Sequence, residues 1–125
     1  MAQDLPGRDL IAKMYGKKLW VVMTKAAKPR EEIAKHIVDH LHHQIRLEKE
    51  GIMFGAGPLT SADIPSGSLG LVIIRAESEE EARRIADSDP LHASGARTYD
   101  LYQWTVNEGR ITISVDLSDK SYVLG

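Results

Sequence analysis

A chain of 125 residues with 42% hydrophobic and 27% charged side chains has the composition of one globular domain, not of a two-domain enzyme or a disordered tail. Its 16 Lys and Arg against 18 Asp and Glu leave a formal charge of −2, and the absence of cysteine excludes disulfides, thiolate metal sites, iron–sulfur clusters and a cysteine nucleophile. No run approaches about eighteen uncharged apolar residues, and residues 1–16 alternate charge with apolar groups, so neither a membrane span nor a secretory signal is expected and the protein is expected in the cytoplasm.

Residues 1–30 carry 7 basic and 2 acidic side chains, whereas residues 31–125 carry 9 and 16. The basic residues Arg8, Lys13, Lys17, Lys18 and Lys25 are scattered, with few aromatics between them for bases to stack on, so no nucleic-acid partner is expected.

Residues 1–17 read as an N-terminal extension, a loop with a short helix around 9–15, and residues 18–125 as a single domain. The run at 18–24, Lys-Leu-Trp-Val-Val-Met-Thr, is β-branched and aromatic and predicts the first strand. Pro29 and the acids Glu31 and Glu32 then open a long helix ending at Gly51, with Ile33, Ala34, Ile37, Val38, Leu41 and Ile45 as its predicted core stripe. A second strand covers 52–59, where Gly55 and Gly57 suggest a bulge or clearance for a ligand. Residues 60–68 predict a loop and 69–76 a third strand. Ser78 and Glu81 have capping-box spacing, so a second helix begins at Ser78 and ends at the Asp89-Pro90 step. A fourth strand at 98–106, a turn at 107–109 and a fifth strand at 110–117 complete the chain as a terminal hairpin.

The order is a doubled βαβ unit, which predicts an α+β, ferredoxin-like βαββαβ sandwich with a C-terminal extra strand and both helices on one face. Its other face, expected to carry Trp20, Val22, Phe54 and Ile74, requires cover from a second subunit or a cavity.

Four of the five histidines fall at 36–43 on the first helix. Helical spacing puts His36, His40 and His43 on one flank and His40 at the edge of the predicted buried face, where an imidazole is partly desolvated yet can reach a cleft. A structural and an acid/base role for His40 are equally compatible with that position. His36, His42 and His43 read as surface residues. His36 and His40 stand four apart, as in a metal-binding pair, but without the Glu of His-Glu-x-x-His, and no metal is assigned. Asp89 is held extended by Pro90 at a helix end, whose negative dipole is expected to oppose another carboxylate. It either hydrogen-bonds local amides or orients an imidazole, and periodicity does not choose between them. No Gly-x-Ser-x-Gly elbow supports a serine hydrolase, and Gly55-Ala56-Gly57 lacks the third glycine and helix of a phosphate loop.

His40-Leu41, Gly51, Phe54-Gly55-Ala56-Gly57-Pro58, the segment 78–82 and Ala86-Asp87-Ser88-Asp89-Pro90, in this order and spacing, resemble the YciI-related (YCII domain) family over about residues 18–106. The resemblance implies a ferredoxin-like subunit pairing sheet to sheet as a dimeric α/β barrel, with His40 and Asp89 as an acid/base pair and Gly57 and Pro58 lining the same pocket. His36 and His92 are added as candidate substrate-binding residues. The resulting expectation is a homodimeric, cofactor-independent enzyme of isomerase or lyase type acting on a compact metabolite, cyclic ones included. The rival is a non-catalytic ligand-binding or assembly module of the same fold.

Overall fold

The structure, a computed structural model, describes residues 6–125. The elements in chain order are α1 (Arg8–Ala12), β1 (Lys17–Ala26), α2 (Arg30–Ala34), α3 (Ile37–Lys49), β2 (Met53–Ser61), β3 (Ile64–Ile74), α4 (Glu79–Asp87), α5 (Pro90–Ala93), β4 (Arg97–Val106), β5 (Ile113–Asp116) and β6 (Ser121–Leu124). They fall into two compact units, one of residues 18–105 and one that joins the N-terminal stretch through Lys17 to residues 106–125. The first five residues of the expected N-terminal loop lie outside the described residues.

The larger unit is an α+β sandwich on a four-stranded sheet of order β2-β3-β1-β4. Strand β3 runs antiparallel to both β1 and β2, with Trp20 opposite Ile74, Val22 opposite Val72 and Thr24 opposite Gly70. Because side chains alternate across a strand, these even-numbered residues share one face. Trp20, Val22, Val72 and Ile74 form the core there with Ala82 and Ala86 of α4. Trp20, Val22 and Ile74 therefore belong to the helix-covered face, a correction to their expected place on the open one. The period of two defines two sets of residues but does not say which set the helices cover. The opposite set, Val21, Met23, Leu71 and Ile73, is half-buried. Phe54 is exposed, packs edge-on against Trp104 at 6.3 Å between ring centroids, and lies under the Arg75 guanidinium.

The expected single first helix is two. Helix α2 closes on a tight bond from the His36 amide to the Ile33 carbonyl, 3.0 Å, and α3 restarts with His36 as its N-cap. Helix α3 ends at Gly51 in the left-handed conformation, φ 77°. The amides of Gly51 and Ile52 return to the carbonyls of Glu48 and Leu47 at 3.0 and 2.9 Å, a Schellman motif. The α3 residues buried against the rest of the unit are His43 and Leu47, while Ile37, Val38, Leu41 and Ile45 are exposed. The predicted stripe is real as a periodicity but is not core: Ile33, Ile37, Leu41 and Ile45 line the cavity described below, and Ala34 and Val38 are exposed outside it. Helix α4 opens as predicted, the Ser78 hydroxyl accepting the Glu81 amide at 3.1 Å.

Residues 60–68 are not a loop. Strands β2 and β3 continue through most of that segment as a hairpin, with bulges beside Met53/Gly55 and Leu59/Ser61. Strand β5 pairs antiparallel with β6 and not with β4. Asp119 makes that turn by accepting the Ser121 amide at 3.0 Å, and Lys120 takes a positive φ of 60°. The alternation of 110–117 signals a strand without naming its partner.

Candidate active site

The site is built where α3 passes the junction of α4 and α5. The residue before Pro90 is driven out of helical geometry, so α4 stops and Asp89 becomes the N-cap of a new turn with Pro90 at its first position. Its Oδ1 accepts the Leu91 amide at 2.9 Å. This corrects the expectation of a carboxylate opposed by a helix C-terminus: Asp89 stands at the start of α5, where capping favours it. Its other oxygen, Oδ2, lies 2.8 Å from Nδ1 of His40. Burial alone pushes the Asp89 carboxyl up, but the hydrogen bonds from His40 and Leu91 outweigh it and hold the group below its ordinary value of 3.8. An ionised Asp89 accepts a hydrogen bond from Nδ1–H, and in the tautomer that carries its proton on Nδ1 the other ring nitrogen, Nε2, is the base.

His40 forms part of the wall of a cavity of about 460 Å³. The half-buried Ile33 and the exposed Ile37, Leu41 and Ile45 supply one side, and Ala56, Gly57 and Pro58 of β2 supply another. The residues brought together are thus His40, Asp89 behind it, Gly57 and Pro58. Gly57 contributes backbone, and a Cβ built on it meets no atom within 4 Å. The tight glycine is Gly70, where an added Cβ stands 3.0 Å from Cγ2 of Thr24 and 3.9 Å from Nη2 of Arg97.

His36 caps α3 and is not in the cavity wall. His92 lies behind it, in a gap of about 10 Å³ shared with His43 and Asp89, too small for a ligand. The His92 Nδ1 donates to the Ala86 carbonyl at 2.7 Å, and Nε2 accepts from the Thr24 hydroxyl at 2.8 Å. The Thr24 hydroxyl in turn accepts from Nε of Arg97 at 3.0 Å. His43, expected at the surface, is buried, with Nδ1 accepting from Arg46 at 2.9 Å and Nε2 directed at the Ser88 hydroxyl. Burial pushes its imidazole below the ordinary 6.5. Among the described residues no group of three or more His, Asp or Glu is arranged to hold a metal ion.

Thr24 and Arg97, wall residues hydrogen-bonded to each other, escaped the sequence reading. Arg97 stands one residue before the predicted fourth strand. Its signal is a cation heading a run of strand residues, Thr-Tyr-Asp-Leu-Tyr, where an exposed side chain and a buried one look alike. Among the described residues no helix is long and apolar enough to cross a membrane.

The family model of the YCII-related domain matches residues 19–105, the span of the larger unit. Among solved structures the chain is similar to 5-chloro-2-hydroxyhydroquinone dehydrochlorinase from Burkholderia phenoliruptrix, a complex with 2,5-dihydroxybenzoquinone. The TM-score is 0.54 at 19% identity, over 70% of this chain and 93% of that one, a likeness that speaks for the fold. No curated protein matches the chain.

Proposed function

The chain belongs to the YCII-related domain family, and from that premise we propose that it is a small lyase- or isomerase-type enzyme that moves protons on a compact, ring-sized metabolite without a cofactor. The observation that carries the reading is the 2.8 Å contact of His40 Nδ1 with Asp89 Oδ2, made by an imidazole in the wall of a cavity of about 460 Å³. Nε2 of His40 takes a proton from a substrate carbon or hydroxyl. The electron pair of the broken bond enters the ring and expels a leaving group in a lyase reaction. In an isomerase reaction it shifts the unsaturation, and His40 returns the proton at a second atom. Asp89 holds the tautomer and offsets the charge of the imidazolium that forms. The dehydrochlorinase of similar fold points to hydroxylated and halogenated rings as the first substrates to try.

The test is a screen of hydroquinones, chlorinated hydroxyhydroquinones and small lactones, followed by His40→Asn on any substrate found. Acid/base catalysis predicts a loss of about 10²- to 10⁴-fold in kcat. Full turnover by His40→Asn contradicts the proposal.

The exposed Phe54, Tyr102 and Trp104 and the half-buried Val21, Met23, Leu71 and Ile73 favour a homodimer in which the open sheet faces cover each other. They equally favour the second reading, an assembly or ligand-binding module without turnover. An Asp89→Asn protein that is strongly destabilised, with no ligand response in the parent chain, supports that second reading.

A further inference from the structure

A buried cation stands in the cavity without a carboxylate in contact. Arg97 is 9% exposed and forms part of the wall that also holds His40. Its Nε donates to the Thr24 hydroxyl at 3.0 Å, Nη2 to the carbonyls of Thr24 at 3.1 Å and Ser68 at 3.3 Å, and Nη1 to the carbonyl of Gly67 at 2.8 Å. All four acceptors are uncharged. A guanidinium has five N–H groups, so one Nη1 hydrogen has no protein acceptor among the described residues. None of the carboxylates described lies within ion-pair distance of it. Asp89 acts on it only through space, and both Asp89 oxygens are engaged by His40 and the Leu91 amide.

Carbonyl dipoles hydrate a buried charge in place of water but do not neutralise it. Among the described residues the sole carboxylate in the cavity wall is Glu48, an exposed residue beside Lys49 at 3.8 Å. Gly70 lines the wall beside Arg97, where an added Cβ would crowd Cγ2 of Thr24 at 3.0 Å and only touch Nη2 at 3.9 Å. The remaining wall is largely apolar: Ile33, Ile37, Leu41, Met53 and Leu91 among others. A largely apolar cavity with one fixed cation in its wall suits a ring that carries one negative oxygen.

We propose that Arg97 is a specificity-determining residue that selects organic oxyanions, a ring-borne carboxylate or an ionised phenol, for this cavity. The proposal deepens the proposed function and rests on its reading of the cavity as the substrate site. It assigns the charge that the substrate brings, with the anionic oxygen at Arg97 and the exchangeable proton toward His40.

The experiment is calorimetric titration of the full chain with two matched pairs of probes, benzoate against benzamide and 4-nitrophenolate against nitrobenzene, with the Arg97 Nε–H resonance followed by NMR. The proposal predicts at least about a tenfold preference for the anion in one pair or both, a shift of the Nε–H resonance on its addition, and loss of the preference in Arg97→Gln. The pair that shows it tells carboxylate from phenolate. Should Arg97→Gln fail to fold, Arg97→Lys keeps the positive charge without the fork and should keep only part of the preference. Equal affinity within both pairs, no binding by any probe at tens of millimolar, a silent Nε–H resonance, or a preference that survives Arg97→Gln overturns it. The outcome separates from the catalytic reading through His40→Asn, which should keep the preference. Lost turnover with no anion preference defeats only the present proposal, and an anion preference with full His40→Asn turnover defeats only the acid/base reading.

Discussion

At the scale of single residues, the site depends on two side chains 49 positions apart meeting at one hydrogen bond. The helical edge position of His40 and the forced geometry of Asp89 before Pro90 were legible in the sequence, because both follow from local rules. Their contact was not, since no local period relates α3 to the start of α5. Arg97 and Thr24 were invisible for a related reason: a lone Arg or Thr in a strand carries no mark of what lies across the sheet. The carboxyl of Asp89 titrates lower folded than unfolded, so its contribution to stability is complete above its ordinary 3.8 and disappears as pH falls through the folded value. Asp89→Asn should therefore flatten the acid limb of the stability curve, measured by urea unfolding at stepped pH. His43 is also held below its ordinary value, but as a base. The unfolded chain takes up its proton first, so stability is complete above 6.5 and declines as pH falls below that. His43→Gln should shrink this decline in the same titration, and an unchanged slope would assign it elsewhere. Gly70→Ala brings a methyl to 3.0 Å from Thr24 and should cost about 1–3 kcal/mol by overpacking, read as a lower urea midpoint.

At the scale of elements, the strands of the larger unit and the start of α4 were readable because β-branched runs, capping spacing and the Asp-Pro break act locally. Several of the failures share one cause. Periodicity reports that a face is apolar, not what covers it. The row Ile33, Ile37, Leu41 and Ile45 is apolar because it lines a cavity, while His43 and Leu47 take the core-facing side of α3. The same limit misassigned Trp20, Val22 and Ile74, and left β5 without its partner β6. The split between α2 and α3 has no Pro or Gly to announce it and is seen only in the tight His36-to-Ile33 bond. The end of α3 is different, since Gly51 occupies a left-handed position that other L residues adopt at a cost. Gly51→Ala should lower stability by about 1–2 kcal/mol without altering ligand affinity, a combination that thermal unfolding and titration separate.

At the scale of the whole molecule, a helix-covered face and an open face divide the sheet of the larger unit. The open face carries Phe54, Tyr102 and Trp104, and water is a poor neighbour for them. The proposed homodimer should appear in light scattering as twice the 13.9 kDa chain mass, and Trp104→Glu should shift it toward the monomer. A monomeric parent chain at micromolar concentration would remove that proposal while leaving the His40 site in place. Should dimer formation be required for turnover, Trp104→Glu will lower activity in proportion to the monomer it produces.

The central claim is that Asp89 holds His40 as a base facing the cavity, and long-range proton–nitrogen NMR of His40 in the native chain tests it most directly. The account predicts a neutral imidazole protonated on Nδ1, with that preference lost in Asp89→Asn. A native His40 protonated on Nε2, unaffected by the Asp89 substitution, would contradict it.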